Sequence, residues 1–308
     1  MGTTPGKNEM EASDTAEILL VPVVDVNWLV FAPFDPGRDF RIDPPKVEQS
    51  IGETRELGQM MLDLTEGRAV LTPHSGTYCR TGYYEAPLLE VYREWTARGA
   101  EVAVHLHEEI KGGGVRFGEE DHVREVFADC HRRLVEGGIV PVAYRGGHNA
   151  YAPFMNDVLS EHGIDVDLSC LPGLFKPDRE AIWTEGRLSA YALPQDPRAP
   201  VGQGRPSPIV EVPIGCDGEG TDYRNFLQIE QSELDNHMRV WRVIRDRAQR
   251  EGRAQIVHML FHTGSMGRPD WVERLMAFLA FVPTEGGTFA GAVEAACAFR
   301  RQRDRKAA

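Results

Sequence analysis

A parallel α/β fold, closed into a distorted (β/α) barrel of about seven strands, is what the pattern of apolar residues predicts. Seven or eight short β-branched runs recur along the chain, and stretches with apolar residues at helical spacing separate most of them. Apolar strands alternating with helices imply parallel strands with helices on the outside. A third observation favours the closed barrel over the open nucleotide-binding sheet. No Gly-x-Gly-x-x-Gly follows the first run, and no Walker-type Gly-Lys-Ser/Thr occurs.

The strand candidates are 18–24, 69–72, 102–106, 140–144, 165–168, 209–212, 256–261 and 287–290. Val123, Val126, Phe127, Cys130 and Leu134 form a helical stripe that Gly137-Gly138 stops. Leu234, Met238, Trp241 and Ile244 form another. Val272, Leu275, Met276 and Leu279 follow Pro269, a residue suited to a first helical turn. Leu88, Leu89, Tyr92 and Trp95 precede Gly99, and Val158 and Leu159 precede Gly163. Residues 1–16 lack apolar period and read as disordered. The Pro- and Gly-rich segment 181–207 reads as a long surface loop. One barrel domain, 17–299, and a basic C-terminal tail, 300–308, complete the expected organisation.

Composition narrows the function. Of 308 residues, 47 are acidic and 34 basic, a formal net charge of −13. That balance argues against nucleic acid or an anionic membrane surface as partner. No run of about 18–20 apolar residues suggests a membrane span, and residues 1–14 lack the apolar core of a signal peptide. Five widely spaced cysteines without a Cys-x-x-Cys pair read as reduced thiols, so a cytoplasmic setting is expected. The expected partner is a small-molecule substrate; the sequence leaves the oligomeric state open.

In a parallel barrel, chemistry belongs at the C-terminal ends of the strands. Polar residues recur there: Asp25 and Asn27 after strand one, His74 after strand two, and His105, His107, Glu108 and Glu109 after strand three. Arg145 and His148 follow strand four, Asp165 and Asp167 lie on strand five, Glu211 on strand six, and His262 ends strand seven. His105 and His107 stand two apart on a strand and share a face. With a carboxylate they form a common divalent-metal set, zinc being the usual occupant, although an isolated His-x-His is more often a pair of hydrogen-bonded strand-end histidines. Asp25, after an apolar run, needs a charge partner or a metal, and Arg145 could supply the charge.

These residues, in this order, resemble the NodB-type polysaccharide deacetylase superfamily (carbohydrate esterase family four). Val24-Asp25-Val26-Asn27 resembles its Asp-containing first motif, and residues 101–109 its histidine motif. Tyr144-Arg145-Gly146-Gly147 resembles the arginine motif, Asp167 stands at the Asp of the next, and 256–262 resembles the strand that ends in a catalytic histidine. The resemblance spans about residues 18–298 and departs at two places. Asn27 stands where many relatives carry a second carboxylate, and Glu109 where the usual pattern has the second histidine.

The resemblance implies metal-assisted hydrolysis of an N-acyl group, most often N-acetyl on an amino sugar. Asp25 would act as base, Arg145 would orient it, and His262 would act as acid. Asn27, His105, His107 and Glu109 would form the metal set, with Asp25 an alternative ligand. His74, Tyr78 and His148 would line the pocket. The alternatives are a binding protein that has lost catalysis, suggested by Asn27, and a cysteine hydrolase using Cys170 or Cys79.

Overall fold

The structure, a computed structural model, describes residues 16–27, 44–76, 80–109 and 114–307. The segment 1–15, and with it Trp28, Tyr78 and Cys79, lies outside the described residues. Strand β1 (Ile18–Val26) is a continuous apolar run buried along its whole length, with Asp25 as its charged exception. The chain continues through α1 (Pro44–Leu64), β2 (Val70–Pro73), α2 (Arg80–Tyr83), α3 (Ala86–Thr96), β3 (Glu101–Leu106), α4 (Glu120–Glu136), β4 (Ala143–Gly146), α5 (Met155–Glu161) and β5 (Val166–Asp167). A small hairpin, β6 (Phe175–Lys176) and β7 (Ala181–Ile182), precedes β8 (Tyr191–Pro194) and β9 (Pro206–Glu211). Then follow α6 (Leu234–Glu251), β10 (Gln255–His262), α7 (Pro269–Thr284), β11 (Gly287–Phe289) and α8 (Ala292–Ala307).

Seven parallel strands form the curled wall, in the order β10-β1-β2-β3-β4-β5-β9, as the sequence pattern predicts. Strand β8 adds antiparallel to β9, and β11 pairs with β1 below β2. The sheet does not close by a regular ladder between β8 and β10. Single segments run along the free edge of β10 instead: Ala190 N bonds Ile256 O, His258 N bonds Pro213 O, and Leu260 N bonds Leu227 O. The α4 stripe is buried as the period requires. Gly138, with φ of 77°, ends that helix while Ile139 N returns to Leu134 O. Among the described residues no helix is long and apolar enough to cross a membrane.

Four expectations change. Segment 181–207 is not a loop alone: it holds β7 and β8, and Trp183, Tyr191 and Leu193 are buried. Strand β4 starts at Ala143 instead of Val140, because Val140 stands 74% exposed ahead of Pro141. Helix α1 has no counterpart in the apolar pattern because its buried face is built partly of Ser50 and Thr54, beside Leu57 and Met61. That face meets α3, where a Cβ on Gly58 would lie 2.6 Å from the Trp95 indole, so the close approach needs glycine. The basic run from Arg300 continues α8, and Arg300 binds the Asp165 carboxylate.

Candidate active site

The parallel register puts Asp25 of β1 level with His262 of β10 and Thr72 of β2, and His105 of β3 level with Arg145 of β4. Side chains level across neighbouring strands share a face, so the barrel brings the strand-end residues together. The Arg145 Nε donates to Asp25 Oδ1 at 2.9 Å and lies 3.3 Å from Oδ2, while its Nη1 donates to Leu168 O at 2.9 Å. The Thr72 hydroxyl also donates to Asp25 Oδ1. Oδ2 faces two imidazoles, with His262 Nε2 at 3.4 Å and His105 Nε2 at 3.7 Å. Burial alone would raise the Asp25 pKa, but Arg145, His105 and His262 outweigh it and hold the carboxyl well below the usual range.

His262 is held from behind by Glu230, in the single 3-10 turn 229–231 ahead of α6. Glu230 Oε1 accepts from the His262 backbone N–H at 2.7 Å, from its Nδ1 at 3.0 Å and from Ser265 Oγ at 3.1 Å. Burial would lower the His262 pKa; Glu230 and Asp25 reverse this and push it up to about 9. His258, deeper on the same strand, donates its Nδ1–H to Val212 O at 2.8 Å, and burial lowers its pKa to about 3. It is a neutral histidine of the barrel interior.

A second cluster adjoins the first. One ligand atom each of His74, His107 and Glu109 lies within 4.8 Å of the others. The His74 and His107 rings stack at 4.2 Å, and His107 Nδ1 touches Glu109 Oε1. Burial would raise the Glu109 pKa, but His107 and His148 hold it well below the usual range. The donor chemistry suits a divalent cation, and His105 is prepared for one in a further way. Its Nδ1–H is donated to Arg145 O at 2.9 Å, leaving the Nε2 lone pair bare and without a hydrogen-bond partner. His74 is oriented the other way, its Nδ1 accepting from Gly76 N at 3.2 Å.

The loops that carry these groups are tied together. Ser75 Oγ accepts from His107 N at 3.0 Å and donates to Glu108 Oε1 at 3.0 Å, and Glu108 Oε2 meets His122 Nε2 of α4 at 2.7 Å. His148 enters from the β4 loop with φ of 53°, followed by Asn149 at 62°. Its Nε2–H donates to Glu109 Oε1 at 3.1 Å, and its Nδ1 accepts from Arg179 Nη1 at 3.1 Å. Two consecutive left-handed non-glycine residues persist only where surrounding contacts over-determine them; here Trp183 Nε1 donates to Asn149 O at 2.7 Å and Ala150 N to Gly147 O at 3.0 Å.

Of the expected site residues, Asp25, Arg145 and His262 form one constellation, and His105 joins it through Nε2. His107 and Glu109 group with His74, which sequence reasoning had placed only in a pocket wall. Asn27 exchanges backbone hydrogen bonds with the Thr263 hydroxyl, both at 3.0 Å. Asp167, matched to a family motif, sits behind Arg145, where it accepts from Leu168 N and Ser169 Oγ. Cys170 is buried, accepts from Tyr191 OH, and burial pushes its thiol pKa well up, which removes it as a nucleophile. Thr72, Ser75, Arg179 and Glu230 carried no local signal in the sequence.

No family model matches the chain, and none of the curated proteins does. Solved structures do. One assigned as a polysaccharide deacetylase from Mycobacterium smegmatis superposes with a TM-score of 0.57 at 17% identity, covering 96% of this chain and 93% of that one. A second, assigned likewise from Pseudomonas aeruginosa, gives 0.59 at 17% identity and covers 94% and 92%. Puue allantoinase gives 0.56 at 17% identity, over 94% and 92%. At such identity the likeness is one of fold: the chain has the NodB-type deacetylase fold, a distorted (β/α) barrel.

Proposed function

We propose that this chain is a metal-dependent hydrolase of a carbon–nitrogen bond, acting on an N-acetylated sugar or another small N-acylated molecule. The observation that carries the reading is the division of labour on Asp25. One oxygen is taken up by Arg145 and Thr72, and the other is turned to His262 and His105. An ionised carboxylate facing an imidazolium is the base and acid that amide cleavage needs. His74, His107 and Glu109, with His105 at their edge, are the residues that would hold the cation. A divalent ion there, zinc by the histidine-rich donor set, would supply a charge to polarise the acyl carbonyl.

The remaining work falls to the chain. Asp25 Oδ2 takes the proton from the attacking water. Arg145 keeps that carboxylate ionised and fixes its plane. The His262 Nε2–H goes to the departing nitrogen, since an amide anion is a poor leaving group. Glu230 keeps His262 charged until then. Two of the similar folds are assigned as polysaccharide deacetylases, which supports the N-acyl choice.

The test measures amine release from a panel of N-acetylated sugars and N-acylated metabolites, beside elemental analysis of the purified protein. Chelation should abolish release, and His105→Ala and His107→Ala should each purify with less metal. Full occupancy in both variants would remove the metal assignment. His262→Ala should cripple amide hydrolysis yet largely spare an activated ester, whose leaving group needs little protonation. Equal losses on both substrates would assign His262 a structural role.

A further inference from the structure

At the end of the barrel away from His262, the chain forms a cavity of about 380 Å³ beside the start of β10. Strand β10 is eight residues long, which at a rise of about 3.3 Å per residue puts this cavity roughly 23 Å from the catalytic end. It lies at the seam where β8 and β10 fail to pair. Tyr191, Val201 and Phe299 of α8 are among its lining residues. Three arginines, Arg187, Arg253 and Arg303, line it, and no acidic residue does.

The protein uses the arginines only in part. Arg187 makes one long contact, Nη2 to Val201 O at 3.5 Å, and no ion pair among the described residues. Arg253 and Arg303 each use only Nε, toward Glu251 and Asp304 of their own segments. The outer guanidinium nitrogens of Arg253 and Arg303 have no partner among the described residues. In a chain of net charge −13, Arg187 brings an uncompensated positive charge to the cavity, and Arg253 and Arg303, each paired with one carboxylate through Nε, add free guanidinium donors. The guanidinium fork matches planar or tetrahedral oxyanions, the aromatic and aliphatic walls suit an apolar body, and the volume lies within the range of about 300–1,000 Å³ usual for small-molecule sites.

We propose that this cavity binds a small organic anion, an oxyanion group carried on an apolar, ring-sized body, at a site separate from the catalytic end. The probe is anilinonaphthalene sulfonate, titrated by fluorescence against the native protein. The expected result is one saturable site, weakened by salt and weakened at least about tenfold in the Arg187→Gln/Arg303→Gln double variant, a change of ~1.4 kcal/mol. Phenylnaphthylamine, which lacks the sulfonate, should bind at least about tenfold more weakly than the sulfonate does. Ala192→Phe keeps the charges and fills the space, and should also reduce binding; circular dichroism checks the fold of each variant. A double variant that titrates like the parent protein, or a neutral dye that binds as tightly as the sulfonate, would overturn the proposal.

Discussion

His262 shows how far one residue's chemistry depends on neighbours it meets only in the fold. Its imidazole is half-buried, and Glu230 and Asp25 on opposite sides of the ring push its pKa up to about 9. Glu230→Gln keeps the shape and removes one anion. The alkaline limb of the kcat/KM profile should therefore move to lower pH, toward the ordinary histidine range. An unmoved limb would show that Glu230 does not tune the acid. The same shift has a consequence for stability. The folded pKa lies above the ordinary value of 6.5, so the imidazolium stabilises the fold fully below about pH 6.5 and loses that contribution as pH rises through 9. On the proposed reading, Arg145 acts on the base, Asp25, instead. Arg145→Ala should lower kcat by roughly a hundredfold with little change in KM; the opposite split would make it a substrate-binding residue.

Among the elements, the turn after β4 is the most constrained. Gly146 and Gly147 lead into the left-handed pair His148 and Asn149, and the turn packs directly on the histidine cluster. A Cβ on Gly147 would lie 2.5 Å from Cδ2 of His107 and 2.7 Å from Leu106 O. Gly147→Ala must therefore displace the His107 ring or the turn. Its expected signature is a loss of metal affinity of about 10–100-fold, the range seen when support behind a ligand is disturbed. Calorimetric titration of the metal-free protein with zinc measures it, and unchanged affinity would take His107 out of the ligand set.

At the scale of the whole molecule, the barrel wall encloses acids that the proposed chemistry does not use. Asp167 and Glu211 are fully buried, and each keeps one carboxylate oxygen that accepts from no donor, which a proton shared between the two acids would satisfy. Burial raises both pKa values, Asp167 to about 6 and Glu211 well above its usual range. Protonation of the pair thus stabilises the fold at low pH, and that contribution is lost as pH rises, the first proton leaving near pH 6 and the second at higher pH. Glu211→Gln supplies a permanent N–H donor, so its melting temperature should gain on the parent protein between pH 5 and 8; a pH-independent difference would contradict the shared proton. None of this pairing is legible in the chain itself. What the sequence determines is local: apolar runs that must be buried on both faces, helical stripes, and an acid, an arginine and histidines at strand ends, where a polar residue closing an apolar run stands out. That was enough for the barrel, and it singled out Asp25, Arg145, His105 and His262, which the strand register brings to one end of it. The partners were decided only by tertiary structure, because each meets its group across the barrel and not along the chain. Thr72 reaches Asp25 from the next strand, Glu230 reaches His262 from a single 3-10 turn, and Arg179 reaches His148 from a hairpin. Strand β8 was hidden for the same reason: a Pro- and Gly-rich stretch becomes a strand when β9 offers it an edge to pair with, and that edge exists only once the sheet has formed.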